Sequence, residues 1–294
     1  MAAASNPPTF TPTPEPKKVR IALCQLGTTV DKDENIKIAT KAIKEAASAG
    51  GASLVVLPEM WNCPYSNDSF PTYAEDIDAK ASPSADALAK AAAANGVTLV
   101  GGSIPEKSNN RLYNTCLVFS REGALLAKHR KVHLFDIDIP GGVTFKESET
   151  LSPGESITVV DTDAGRLGIG ICYDIRFPEL AQLYAQRGAQ LIVYPGAFNT
   201  TTGPVHWELL QRARAVDNQL FVAACSPARN PDASYQAWGH STVVSPWGQV
   251  LGTIDEQPGI VYAELDYAEI QTRRLNMPIT QQKRDDLYSL VDKT

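Results

Sequence analysis

The chain has 294 residues, 27 Lys and Arg against 33 Asp and Glu for a net charge of −6, and 43% hydrophobic residues. That mildly acidic balance, with no basic cluster longer than Lys128-His129-Arg130-Lys131, leaves little for a grip on nucleic acid, and no apolar run approaches the roughly 20 residues of a membrane-spanning helix. Chains of about 300 residues bury about three quarters of their unfolded surface, so a sizeable core is expected, in two domains or in one large α/β unit.

Residues 1–18 are rich in Pro, Thr, Ala and Ser without apolar periodicity, which predicts a flexible tail. There is no apolar stretch of a secretory signal, and the first Arg is Arg20. A cytoplasmic protein is therefore expected, or an organellar one with an incomplete leader. The five cysteines, at 24, 63, 116, 172 and 225, are odd in number and widely spaced, which points to a reducing compartment rather than a disulfide framework.

Val19 to Gln25 predicts a buried strand, and Ile36, Ala39, Ile43 and Ala46 recur at helical spacing. The run Leu54 to Leu57 predicts a second strand ended by Pro58, followed by an Ala-rich helix from about Pro83 to Asn95. Strands around 97–101, 113–120 and 124–130 complete a β-α-β-α-β-β-β order. The second half then echoes the first. Gly51-Ala-Ser-Leu-Val-Val-Leu-Pro58 reappears as Gly188-Ala-Gln-Leu-Ile-Val-Tyr-Pro195, an offset of 137, and Ile21-Ala-Leu-Cys24 as Ile169-Gly-Ile-Cys172, an offset of 148. One β-α-β unit used twice predicts two stacked sheets with helices outside, in a single domain over residues 19–294. A helix from about 205 to 218, a strand at 220–225 and a hairpin around Pro246-Trp247-Gly248 follow. The polar segment from Tyr267 onward is expected to wrap the outside or a neighbouring subunit.

Cys172 ends a strand and precedes Tyr173-Asp174-Ile175-Arg176-Phe177-Pro178-Glu179, a strand-to-turn-to-helix junction that presents a nucleophile and aims the next backbone N–H groups at the same point. A lone Cys is more often inert core. The repeat offers a contrast, because Cys24 matches Cys172 in the first copy yet is followed by Gln25-Leu26-Gly27 with no charge nearby. Glu59 stands just beyond the C-terminal end of its strand, where open α/β sheets place ligands, and its repeat counterpart is Gly196. If the two strands lie side by side, Glu59 and Cys172 converge. Lys131 closes a charged strand end. Glu147 lies 16 residues on, in a loop with Gly141-Gly142, Asp136, Asp138 and Glu149. A loop of about 20 residues without its own structure is uncommon and often functional. None of the four histidines, 129, 133, 206 and 240, stands out as a partner for Cys172, and neither zinc spacing nor a phosphate-binding Gly motif occurs, so no metal or cofactor is expected.

Glu59 in Leu-Pro-Glu-Met, Lys131 in His-Arg-Lys-Val-His-Leu-Phe and Cys172 in Gly-Ile-Cys-Tyr-Asp-Ile-Arg-Phe-Pro-Glu together resemble the nitrilase superfamily of carbon-nitrogen hydrolases, in the family's order, over about Val19 to Leu290. The resemblance implies a four-layer α-β-β-α sandwich, a Glu59-Lys131-Cys172 triad, Glu147 as the supporting second glutamate, and a homodimer or larger assembly. True nitrilases carry Trp-Glu after the nucleophile. Tyr173-Asp174 with Arg176 is instead similar to the ω-amidase and deaminated-glutathione amidase branches. The stretch Tyr194 to Glu208 and His133-Leu-Phe-Asp-Ile-Asp138 are most similar to ω-amidase, which implies 2-oxoglutaramate and 2-oxosuccinamate as substrates, with no nucleic acid or membrane as partner. In that setting Glu59 acts as base and acid, and Lys131 with the Tyr173 backbone N–H meets the oxyanion. Arg176 clamps the distal carboxylate with help from Thr202, unless it pairs instead with Glu179 or Asp174. Deaminated-glutathione amidase is the alternative, and a non-catalytic scaffold would be expected to have lost a triad member.

Overall fold

The computed structural model describes residues 11–15, 17–79, 82–140 and 144–294, so residues 1–10 of the expected tail and the Gly141-Gly142 pair of the sequence analysis lie outside the described residues. In chain order the elements are β1 (Lys18–Gln25), α1 (Lys32–Ser48), β2 (Leu54–Val56), α2 (Phe70–Tyr73), α3 (Pro83–Asn95), β3 (Thr98–Ser108), β4 (Arg111–Phe119) and β5 (Leu125–Arg130). Then come β6 (Asp136–Asp138), β7 (Thr144–Lys146), β8 (Thr158–Thr162), β9 (Gly165–Ile169), α4 (Pro178–Gln186), β10 (Leu191–Pro195), α5 (Gly203–Asn218) and β11 (Phe221–Cys225). β12 (Thr242–Val244), β13 (Val250–Thr253), β14 (Gly259–Asp266) and α6 (Ala268–Asn276) close the chain.

The strands form two six-stranded sheets, ordered β14-β1-β2-β3-β4-β5 and β13-β12-β11-β10-β9-β8. β1, β2 and β3 run parallel, as do β9, β10 and β11, so the duplicated β-α-β unit heads both sheets. Alternate residues of each strand point to opposite faces. Ile21, Leu23, Leu54 and Val56 therefore join the apolar cluster that also holds Ile169, Val193 and Val222 of the second sheet, while Ala22, Cys24, Val55 and Leu57 pack with Ala39, Ile43, Leu88 and Ala92 of α1 and α3. α4 and α5 cover the second sheet through Ala181, Tyr184, Trp207 and Ala215. The result is a four-layer α-β-β-α sandwich. α3 was legible to the residue because its ends are chemically marked. Ser82 Oγ accepts from the Ala85 N–H at 3.2 Å, Pro83 occupies the first position, and Gly96 closes the helix at φ +62°.

Three expectations change. The strands leading to Glu59 and Cys172 do not lie side by side; they belong to different sheets, which stack where Cys225 Sγ of β11 lies 3.4 Å from the Cys24 carbonyl and 3.5 Å from that of Val56. Nor is Cys24 the counterpart of Cys172 in pairing register. Leu54 pairs with Ile21, whereas its repeat partner Leu191 pairs with Leu167, so Cys24 corresponds to Gly170 and Cys172 to Leu26. The loop after Lys131 is not structureless, since β6 and β7 pair as a small hairpin and Glu147–Glu149 forms a 3-10 turn. The described residues of the N-terminal segment and the strand near the C-terminal end contact the body of the protein. The Thr11 N–H donates to the Gln186 carbonyl, and Pro12 and Pro14 accept from Arg166 and Gln190. β14 inserts beside β1, taking in the first sheet the edge that β8 takes in the second, and Tyr267 and Ile270 behind it are buried.

Candidate active site

Glu59 emerges as β2 ends at Pro58. The turn it rides on is held by the neighbouring strand: the Met60 N–H donates to Ser103 Oγ at 3.1 Å, and the Ser103 N–H to the Pro58 carbonyl at 3.0 Å. Between them β3 slips register, and Gly102 there has φ +64° with no room for a Cβ, which would fall 2.2 Å from the Pro58 carbonyl oxygen. Met60 itself is at φ +52°, strain of about 1–3 kcal/mol that such positions hold only under packing.

The carboxylate of Glu59 is fully buried and fully engaged. Its Oε1 accepts from Asn114 Nδ2 at 2.8 Å and from Lys131 Nζ at 3.1 Å, and its Oε2 accepts from the Ala197 N–H at 2.7 Å. Lys131, also without exposure, donates to Glu147 Oε1 at 2.9 Å. Glu147 Oε1 further accepts from the Tyr65 hydroxyl at 2.8 Å and its Oε2 from the Phe135 N–H at 2.8 Å. Burial disfavours the Lys131 charge, yet the Glu147 and Glu59 carboxylates outweigh it and hold the ammonium above its ordinary pKa.

Cys172 opens a 3-10 turn, Cys172–Arg176, at φ +46°, the sharp strand-to-helix elbow that pushes a nucleophile out of line with its strand. Gly196 stands where the first copy has Glu59, and a Cβ there would lie 3.2 Å from Cys172 Cα. The asymmetry of the repeat thus serves the elbow. Burial raises the Cys172 thiol well above its ordinary value and the adjacent Glu59 carboxylate raises it further, against the pull of Lys131. Glu59 is raised by burial as well, with Lys131 opposing. Both shifts disfavour the charged forms, and the raised Glu59 carboxyl is a stronger base than an ordinary carboxylate.

Asp174 fixes the elbow from below. Its Oδ2 accepts from the Ile171 N–H at 2.9 Å, and its Oδ1 from the His133 N–H at 2.9 Å and His133 Nδ1 at 2.8 Å, tying the Cys172 turn to the segment after Lys131. Burial alone would raise this carboxyl; hydrogen bonds from His129, His133 and the Ile171 amide hold it well below the usual carboxylate range. A depressed carboxylate stabilises the fold above its unfolded pKa of about 3.9 and loses that contribution as pH falls through the folded value. Asp174→Asn is accordingly expected to lower the melting temperature at neutral pH. The gap to the wild type should narrow in thermal scans below about pH 3.9, and a constant gap would refute the assignment.

Arg176, Thr202 and Tyr173 share a narrow pocket with Cys172, Phe135, Ala197, Phe198 and Tyr235. Arg176 does not pair with Glu179 or Asp174; its Nη1 meets His206 Nδ1 at 3.2 Å, its guanidinium lies 4.7 Å from the Phe198 ring centre, and its Nε has no hydrogen-bond partner. The Thr202 hydroxyl donates to Asn199 Oδ1 at 3.1 Å. The remaining histidines are engaged elsewhere, His129 with Thr158 and Asp174, and His240 with the Trp238 carbonyl. No cluster of metal-ligating side chains occurs among the described residues, and no helix among them is long and apolar enough to cross a membrane. Asn114, Tyr65 and Tyr235 are not singled out in the sequence; each reaches the site from a different part of the chain, and none lies in a local motif. Asp174 stands inside the Cys172 motif, but its role in holding the turn is visible only in the structure.

A buried thiol, a carboxylate more basic than usual and an ammonium held between two glutamates form an arrangement suited to covalent hydrolysis of carbon–nitrogen bonds. The carbon-nitrogen hydrolase family matches residues 20–275. The chain is 60% identical to the chloroplastic omega-amidase of Arabidopsis thaliana over 99% of its length and 81% of that protein's, and 55% identical to omega-amidase NIT2 of Homo sapiens over 93% and 98%. Among solved structures it is similar to Nit3 of Saccharomyces cerevisiae, with a TM-score of 0.84 and 46% identity over 91% of this chain and 97% of that one. The chain belongs to the carbon-nitrogen hydrolase family, on the omega-amidase branch of the nitrilase superfamily, and is an amidohydrolase of bonds other than peptide bonds.

Proposed function

We propose that the protein hydrolyses the terminal amide of 2-oxoglutaramate and 2-oxosuccinamate, releasing ammonia and a 2-oxo diacid through a thioester on Cys172. The observation that carries this reading is Arg176, a guanidinium with no acidic partner among the described residues, on the wall of the pocket that holds Cys172. Such a group is the preferred bidentate partner of a carboxylate. Glu59 takes the thiol proton as sulfur attacks the amide carbon, and Lys131 with the Tyr173 backbone N–H stabilises the oxyanion. Glu59 then protonates the departing ammonia and deprotonates the water that cleaves the thioester. Glu147 holds Lys131 and, through Tyr65 and Phe135, anchors it to the pocket wall. Seating the substrate requires the ring walls Phe135, Phe198 and Tyr235 to move apart.

Arg176→Lys keeps the charge but loses the fork, and is expected to raise KM for 2-oxosuccinamate about tenfold, with little change in kcat. An unaltered KM would remove the clamp. The deaminated-glutathione alternative is tested by comparing kcat/KM on deaminated glutathione and on 2-oxoglutaramate; preference for the former would replace the present reading.

A homo-oligomer is part of the proposal. Val205, Leu209 and Val216 lie on one face of α5 and are exposed, a stripe suited to a second copy. Leu209→Glu should shift the protein toward monomer in sedimentation experiments, and an unchanged mass distribution would place the contact elsewhere.

A further inference from the structure

Beside the Cys172 pocket lies a second and larger cavity, about 260 Å³, lined among others by Glu59, Tyr65, Asp232, Ala233 and Tyr235. The two share only Ala197 and Tyr235. Their charges are opposite. The first has Arg176 on its wall, whereas the charged residues lining the second are Glu59 and Asp232, both acidic. Resting on the hydrolysis proposed above, the reaction splits its substrate into an acyl group that keeps its carboxylate and a nitrogen that leaves as ammonia. A cavity whose lining charges are acidic disfavours the first and suits the second, because carboxylates attract ammonium and repel a carboxylate. Glu59 lines this cavity while its Oε1 is held by Lys131 and Asn114.

We infer that this cavity is the amine and water side of the active site: ammonia departs through it, and the nucleophile that resolves the thioester arrives through it. Small primary amines follow the same route. The amine nitrogen donates its lone pair to the thioester carbonyl carbon, the C–S bond breaks with its electrons on sulfur, and the amine proton passes through Glu59 to the Cys172 thiolate. The products are a substituted amide and the free thiol.

The test measures how the acyl group of 2-oxosuccinamate partitions between water and added methylamine, as acid against N-methyl amide. Ala233→Trp narrows the cavity, and Asp232→Lys, at an exposed position, reverses its charge without filling it. Both are expected to lower the amide-to-acid ratio about tenfold or more, since an amine held at the carbonyl carbon reacts at effective molarities that free solution does not reach, while KM for the amide stays unchanged. Thr202→Val, on the other pocket, is expected to move KM and leave the ratio alone. A ratio unchanged in both cavity variants overturns the inference. So does a raised KM in Ala233→Trp, which would assign the cavity to the substrate. If the wild type forms no acyl-enzyme on Cys172 at all, the underlying hydrolytic reading fails instead, an outcome separable by mass spectrometry.

Discussion

Cys172→Ala is expected to reduce ammonia release from 2-oxosuccinamate by about 10⁴-fold or more, because no other group in the pocket forms a covalent intermediate and the remaining donors can only bind. The fold should survive. The substitution removes one buried atom at a residue whose φ of +46° is as costly for Ala as for Cys, so no new backbone strain arises. Substrate binding should survive too, since Arg176 and Lys131 are untouched. Calorimetric titration of the variant with 2-oxosuccinamate is therefore expected to show affinity near the wild-type KM. Turnover within about tenfold of the wild type would move the nucleophile away from Cys172.

Lys131→Met is expected to damage both activity and stability. Among the described residues it removes the only cation paired with Glu59 and Glu147, leaving two buried carboxylates whose other partners are amide and hydroxyl donors. Breaking one side of a buried ion pair costs about 3–5 kcal/mol, and losing an oxyanion donor costs about 10²–10³ in kcat. The pH dependence gives the sign of the effect. Without Lys131 the Glu59 carboxyl, already raised by burial, loses the cation that opposes that shift, so its share of the stability deficit should widen as pH rises above the unfolded value of about 4.3 and shrink in acid. Chemical denaturation at several pH values checks this. A deficit that instead grows toward low pH would show that the carboxylates are not the groups Lys131 neutralises.

The candidate catalytic residues stand out in the sequence because each follows a strand or turn with strong local signals: Pro58 just beyond β2, the charged end of β5, and the apolar run into Cys172. What surrounds them does not. Asn114 sits in mid-strand β4, and Tyr65 and Tyr235 lie on separate loops, stacked with ring centres 4.4 Å apart. Stacking the two sheets assembles these groups, and nothing in their own neighbourhoods announces it. The Cys24 parallel failed for a related reason. A two-residue shift keeps every side chain on the same face, so apolar similarity cannot distinguish offsets that differ by two. The β6–β7 hairpin escaped notice because each strand has three residues, too few for a period-two pattern. β14 did carry such a pattern, with Val261, Ala263 and Leu265 buried, but it belongs to the first sheet despite its place near the chain end.

The central claim is that Cys172, activated by Glu59, carries the acyl group. Rapid mixing of the wild-type protein with 2-oxosuccinamate, acid quenching in the first turnover and intact-mass analysis test it most directly. The account predicts a transient adduct with the mass of the acyl group less one hydrogen, located on the peptide containing Cys172 and formed at least as fast as the steady-state rate. Ammonia appearing at the full rate with no adduct on that peptide would contradict it.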